Sequence, residues 1–329
     1  MNVLVVGGAG YIGSHMIRLL EKSGHGVVVY DNLSTGFREA VTVGQFVEGD
    51  LHDQEKLEAT LKSNQIDAVM HFAACALVGE SVQDPEKYYQ NNVVAACKLL
   101  QSMRRVGVSK IVFSSTCATY GEPETVPISE LESQEPVNPY GFTKLVFERA
   151  LDDYAHAYGF SFAALRYFNA AGAAPEGNIG EDHDPESHLI PIVLQVALGQ
   201  RDHITIFGDD YETPDGTCIR DYIHVDDLGA AHLLALEKLG EGKCFKLNLG
   251  TGIGHSVREV IEVCREVTGC EIPEQMGQRR PGDPPRLVAN AAKANELLGW
   301  KPEYTDLKNI VSTAWKWHQR HPKGYQAGN

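Results

Sequence analysis

At 329 residues the chain is long enough for a well-buried core and for two lobes, since single cores stop growing near roughly 250–300 residues. A hydrophobic share of 43%, a charged share of 22% and a net charge of −15 fit a soluble globular protein. They argue against non-specific binding to nucleic acid or to an anionic membrane, while leaving room for a locally basic pocket. No apolar run approaches the ~20 residues of a membrane-spanning helix. The opening MNVLVVGGAG is short, uncharged and glycine-ended, so it reads as a first strand and not as a signal peptide. The seven cysteines are odd in number and contain no C-x-x-C. That usage fits reduced cytoplasmic thiols better than a disulfide frame or a zinc site, and no metal is expected.

In chain order, VLVV (3–6) reads as a strand, followed by a helical stretch from Tyr11 to Ser23. Between them GGAGYIG places Gly7, Gly10 and Gly13 where a dinucleotide-binding turn needs a tight bend, a close backbone approach to a pyrophosphate and close helix–sheet packing. VVVY (27–30) runs into Asp31, at about the spacing where an acid accepts from a ribose diol and repels a 2′-phosphate, which favours NAD over NADP. QFVEGD (45–50) ends on Asp50, which suits either an adenine amino group or the cap of a helix starting near Asp53. A helix over 53–64 and a strand AVMHFA (68–73) follow, with His71 read as a core residue. The stretch 85–105 reads as one helix, KIVFSS (110–115) as a strand, Pro139 to Tyr158 as a helix and FAALRYFN (162–169) as a strand. Apolar strands alternating with helices predict an α/β fold, a doubly wound parallel sheet of the Rossmann type. After Asn169 a Gly-, Pro- and acid-rich stretch (170–186) marks a linker. The expected division is an NAD-binding domain over 1–175 and a smaller α/β substrate domain over 176–329, with later segments free to rejoin the first sheet.

NPYGFTK puts Tyr140 and Lys144 at i and i+4 on one helical face, with Pro139 signalling the helix start. A free phenol, with a pKa near ~10, is a poor base at neutral pH. A neighbouring ammonium and an oxidised nicotinamide stabilise its phenolate. Tyr-x-x-x-Lys is common on solvated helices, but here it follows the strand that ends in Thr116, in a chain with a dinucleotide turn. A strand-end hydroxyl, a helical Tyr and a helical Lys together can move a proton on a substrate alcohol while NAD takes the hydride.

With these motifs the chain resembles the extended short-chain dehydrogenase/reductase family over its whole length. Within that family it is similar to the UDP-hexose 4-epimerase branch, through HFAACALVGES (71–81), YYQNNV (88–93), FSSTCATYG, PYGFTK, LRYFNAAGA (165–173), GEDHDPESHLIP (180–191), IFGDDYETPDGTCIRDYIHVDDL (206–228) and RRPGDPP (279–285). The resemblance implies a homodimer, packed through helices near 88–105 and 140–158, that interconverts UDP-galactose and UDP-glucose. It makes Tyr140 the base, Lys144 its partner and nicotinamide-ribose ligand, and Thr116 the hydroxyl facing the sugar. Tyr11, Ile12, Asp31, Asn32, Asp50, Leu51, Phe72, Ala73, Ala74, Asn91 and Phe168 match cofactor-contacting positions. Ala76 stands where some members carry a cofactor-contacting lysine. Asn169, Arg220 and Arg280 match diphosphate-binding positions, and Asp283 a ribose-binding one. Phe207 is expected against the uracil, with His188 and Leu189 facing the sugar side. Cys117 and Ala118 stand where the related 4,6-dehydratases carry acids. Leu287 stands where some members carry a tyrosine walling the sugar pocket, and the smaller residue suggests room for a 2-acetamido group.

Overall fold

The computed structural model describes residues 1–280 and 283–327. The first lobe is built from strands β1 (Asn2–Val6), β2 (Gly26–Asp31), β3 (Gln45–Glu48), β4 (Ala68–His71), β5 (Lys110–Thr116) and β6 (Ser161–Tyr167), separated by helices α1 (Tyr11–Lys22), α2 (Gln54–Ser63), α3 (Val78–Gln83), α4 (Pro85–Tyr88), α5 (Ala96–Val106) and α6 (Pro139–Tyr158). The remainder adds β7 (Asn169–Ala171), α7 (Leu189–Ala197), β8 (Ile204–Phe207), β9 (Ile219–His224), α8 (Val225–Lys238), β10 (Cys244–Leu249), β11 (Gly254–Ser256), α9 (Val257–Thr268), β12 (Glu274–Gly277), β13 (Arg286–Leu287), α10 (Ala292–Leu298) and α11 (Leu307–Arg320).

The central sheet has seven strands in the order β10-β6-β5-β4-β1-β2-β3, and every pairing in it is parallel. β10 is therefore a late segment that rejoins the first sheet, laying Cys244–Leu249 beside Phe162–Tyr167. Both faces of the sheet are covered, one by a cluster that includes Met16, Leu20, Leu228 and Leu236, the other by one that includes Leu57, Leu99, Met103 and Phe147. That double burial explains why the strands are apolar without alternation.

Two segments depart from the sequence reading, and both shape the cleft. The stretch 85–105 is not one continuous helix: a π-helical segment, Tyr89–Ala95, lies between α4 and α5. Such wide turns gather at functional sites. Here the turn aligns Asn92, which accepts from the Cys75 N–H and donates to the Cys75 carbonyl, both at 2.9 Å, and donates to the Thr143 hydroxyl. The strand predicted over 162–169 ends at Tyr167, and Asn169–Ala171 pairs instead with β9 in a smaller sheet of β11, β9, β13 and β7. The chain thus changes sheets at Phe168. The second lobe has its own core, in which Ile190, Leu194, Ile206, Val260, Ile261 and Ile310 meet.

Candidate active site

A single cleft of about 1310 Å³ runs between the carboxyl ends of the first-lobe strands and the second lobe. Ligands of open parallel sheets sit at that edge. At its floor Gly7 has φ of +80°, and a Cβ there would lie 2.4 Å from the Ala73 backbone nitrogen. A Cβ on Gly13 would lie 2.1 Å from the Gly7 carbonyl oxygen. Those two glycines are required by packing. Gly10 is different: a Cβ there would meet only the Gly7 oxygen, at 3.5 Å. Its missing side chain leaves a cradle open to the cleft, and the helix that starts after it has no side-chain cap and no acid in its first turn. Free N–H groups beside an open cradle suit a pyrophosphate.

Asp31 ends β2 with one carboxylate oxygen accepting from Ala9 N–H and the other from Leu33 N–H, both at 2.9 Å. Each oxygen keeps a lone pair for a ribose hydroxyl. Asp50 accepts from the Asn32 amide and from His52 N–H, both at 2.8 Å. It is not the cap of α2; that is Asp53, which accepts from Lys56 N–H. Tyr11, Ile12, Leu51, Phe72, Ala73, Ala74, Ala76, Asn91 and Phe168 complete this half of the lining. The residues present fit NAD, which they would hold along the carboxyl edge of β1, β2 and β4. His71 lies outside the lining, wedged against Phe113 and Phe147, and burial pushes its imidazole down to about 3.

The candidate trio of Thr116, Tyr140 and Lys144 stands where β5 meets α6. Asn138 caps α6 by accepting from Gly141 N–H at 2.9 Å, with Pro139 in the first turn. This cap fixes the first turn, which carries Tyr140, beside the strand end at Thr116. The Thr116 hydroxyl accepts from Ala118 N–H at 3.1 Å, and Thr116, Tyr140 and Lys144 are all buried. Lys144 donates from Nζ to the Ser114 carbonyl at 2.8 Å, over the Phe113 ring and 5.9 Å from the centre of the Tyr140 ring. Burial pulls this ammonium down to about 7. Burial also pushes the Tyr140 phenol well above its usual value, with the Thr116 hydroxyl pulling the other way. In the protein without its cofactor, burial is the largest influence on the Tyr140 phenol.

Across the cleft, Arg220 is largely buried and donates to Asp283 at 2.5 Å. Arg280 stacks over Phe207 at 4.1 Å from its ring centre, and Arg279 over Tyr211 at 4.0 Å. Asn169, His188, Phe207, Arg220, Arg280, Asp283 and Leu287 all line the same cleft. Two guanidinium groups lining one cleft offer the forked donors that suit a diphosphate. Leu189 does not join them; it packs on the core of the second lobe. Pro281 and Gly282 of the RRPGDPP motif lie outside the described residues.

The model of the NAD dependent epimerase/dehydratase family matches residues 3–250. This chain belongs to that family. A UDP-glucose 4-epimerase of Halalkalibacterium halodurans is 54% identical over 330 residues, covering 100% of this chain and 99% of the relative. The crystal structure of UDP-glucose 4-epimerase from Brucella ovis in complex with NAD is 54% identical, covers 95% of this chain and 96% of that chain, and superposes with a TM-score of 0.92. The UDP-Glc/GlcNAc 4-epimerase of Campylobacter jejuni is 44% identical over 97% of this chain and 99% of its own, with a TM-score of 0.85.

Two groupings in this family member go beyond the motif reading, which singles out only His188 among their residues. Glu148 and Arg166 form a buried bidentate pair behind the trio, at 2.6 and 2.9 Å. Their positions on a helix and a strand carry no local signature. The loop after β7 gathers Glu181, His183, Glu186 and His188. Burial works against protonating these imidazoles, but the glutamates outweigh it and push His183 up to about 9 and His188 well above its ordinary value. The alternation of acids and histidines in GEDHDPESH was the visible signal.

Proposed function

We propose that the chain interconverts UDP-galactose and UDP-glucose by transient oxidation at the sugar C4, with NAD kept between turnovers. The observation that carries this reading is the convergence of the Thr116–Tyr140–Lys144 trio, the dinucleotide turn and the Arg220–Arg280–Asp283 grip in one cleft. When bound, NAD would supply the acceptor for the C4 hydride and the means of its return to the opposite face of the sugar. Tyr140 takes the proton of the 4-hydroxyl and gives it back, Thr116 aligns that hydroxyl, and Lys144 holds the nicotinamide ribose. Arg220, Arg280 and Asp283 hold the nucleotide while the sugar turns over, so that binding energy remote from C4 positions the reacting group. The purified chain is expected to convert UDP-galactose into UDP-glucose without added NAD. A protein that carries NAD and converts nothing would instead be a dinucleotide sensor.

Elimination of water, the 4,6-dehydratase outcome, lacks a catalyst. The residues after Thr116 are Cys117 and Ala118, and burial pushes the Cys117 thiol up to about 12.

A broader sugar range is favoured by Leu287, which lines the cleft beside the Cys117–Phe168 cluster. UDP-N-acetylgalactosamine is expected to be epimerised, and Leu287→Tyr to cut its kcat/KM by about 100-fold with little effect on UDP-galactose. Turnover of the acetylated sugar thousands of times below that of UDP-galactose in the unmodified chain would rule this out.

We further place the protein in the cytoplasm, as the free cysteines suit, and as a homodimer. Val82, Tyr89, Val94 and Phe142 are exposed apolar residues of the 78–95 region and α6, and the Tyr89 and Phe142 rings lie 6.5 Å apart. Light scattering is expected to give the mass of two 36.1 kDa chains; a single-chain mass would exclude the dimer.

A further inference from the structure

We propose that Glu181, His183, Glu186 and His188 form a binding site for one zinc-type divalent cation, which pins the loop between β7 and α7 against the cleft. The four side chains offer donor atoms that all lie within 4.8 Å of one another. His188 Nδ1 is 2.9 Å from Glu181 Oε1 and 2.9 Å from Glu186 Oε1. His183 Nδ1 is 3.4 Å from Glu181 Oε1 and 3.6 Å from Glu186 Oε2. Zinc bonds of ~2.0–2.2 Å to nitrogen and oxygen in a tetrahedral array set neighbouring donors about 3.3–3.5 Å apart, and the four spacings bracket that figure.

A cluster of this composition has a simpler alternative, in which two imidazolium rings neutralise two carboxylates. His183 separates the two. A protonated ring would point its Nδ1–H at an oxygen within hydrogen-bond reach. Instead its Nδ1 is buried, aimed into the cluster and without a hydrogen-bond partner. At 3.4 and 3.6 Å from the two carboxylates it lacks the alignment of a hydrogen bond to either, a placement that suits a ligand beside other ligands.

Further features fit a cation. Glu181 and Glu186 are both buried, and among the described residues neither has a lysine or arginine partner. Buried carboxylates need a compensating charge. The Ser187 and His188 N–H groups donate to Glu186 Oε1 at 2.7 and 2.8 Å, and the Trp317 indole donates to the Glu181 backbone carbonyl at 3.1 Å. Outer partners of this kind fix ligand geometry. Two nitrogens and two carboxylates suit zinc better than calcium or magnesium, which take oxygen donors.

The site is part of the cleft wall, which all four residues line. The His183 ring stands edge-on to Tyr11 with centroids 6.3 Å apart, and His188 precedes α7. A cation there would tie the dinucleotide turn's wall to the start of α7.

The test uses the full chain with its NAD, stripped by a chelator and titrated with zinc or with cobalt(II). One metal per chain is expected, with the visible absorption of a four-coordinate cobalt site free of the thiolate charge-transfer band that the seven cysteines would produce. Zinc is expected to raise the melting temperature. His183→Gln and Glu181→Gln, each checked for folding by circular dichroism and retained NAD, are expected to lose affinity by about 100-fold or more; if one misfolds, the other carries the comparison. Affinity unchanged in a folded variant, thiolate absorption, or no stoichiometric uptake by the unmodified chain would overturn the proposal and leave the proton-neutralised quartet.

Discussion

Replacing Tyr140 with phenylalanine is expected to lower turnover of UDP-galactose by about 10²–10⁴-fold, the usual share of a positioned proton-transfer group, while UDP affinity stays within a few-fold. The substitution removes one oxygen from a buried ring at the first turn of α6 and leaves the Asn138 cap and the Lys144–Ser114 bond in place. The nucleotide grip lies on other segments, at Arg220, Arg280 and Asp283. Loss in kcat without loss in UDP binding is the signature of an interaction used at the reacting centre. The size of the effect follows from electrostatics. Burial holds the phenol well above its ordinary value, so a proton can be taken only where a positive charge is supplied, and no other cleft residue near Thr116 replaces it. Cys117 is pushed up to about 12 by the same burial. Steady-state kinetics and calorimetric titration with UDP would check both halves; turnover within tenfold of the unmodified chain removes Tyr140 from the base role.

What could be read from the sequence divides along the range of the interactions. The strand–glycine–helix junction at Val6–Tyr11, the Asn-Pro start of α6 and the apolar strands are local, and each appears in the structure where its signal stands. The cleft lining was legible because motifs of several adjacent polar residues carried it. Non-local facts were not. Whether 85–105 is one helix depends on Asn92 bridging to Cys75 and Thr143, a tertiary contact. The strand ending at Tyr167 could not be told from a run through Asn169 by local pattern, because the residues after Phe168 are claimed by β9, a partner distant in the chain. Leu189 was expected on the sugar side by resemblance alone, whereas at the start of α7 it packs on the second core.

Arg166→Leu is expected to destabilise the fold by about 3–5 kcal/mol, the consequence of stranding one member of a buried ion pair. Glu148 is fully buried. Its oxygens are met by Arg166 Nε and Nη2, by the Ser115 hydroxyl at 2.6 Å and by the Gln134 amide at 3.4 Å. Burial alone would raise the Glu148 carboxyl; Arg166 and Ser115 outweigh it and hold it below the ordinary range. A lowered folded pKa adds stability above the unfolded value near ~4.3, and that contribution fades as pH falls through the folded pKa. Without Arg166 the sign reverses, since burial then favours the neutral acid and stability is lost as pH rises. The gap between variant and parent is therefore largest at neutral pH and narrows in acid, a pattern that loss of packing volume alone would not produce. The pair is also a tie between elements. Arg166 on β6 donates to the Tyr120 hydroxyl at 2.8 Å, and that hydroxyl donates to Asn248 on β10 at 2.7 Å. Ser115 adjoins Thr116, and Glu148 lies one helical turn beyond Lys144. The network thus spans both elements that carry the trio, so the variant is expected to lose turnover as well as stability. Making both partners apolar, with Glu148→Leu added to Arg166→Leu, is expected to restore much of the stability by removing the orphaned charge. It should not restore the rate, because the spacing of Thr116 and Lys144 no longer has its tie. Denaturant melts across pH, paired with kcat for the single and double variants, separate the two effects. A single variant that costs under about 1 kcal/mol, the scale of an exposed pair, would mean that the trio is held by its own helix cap and strand register alone.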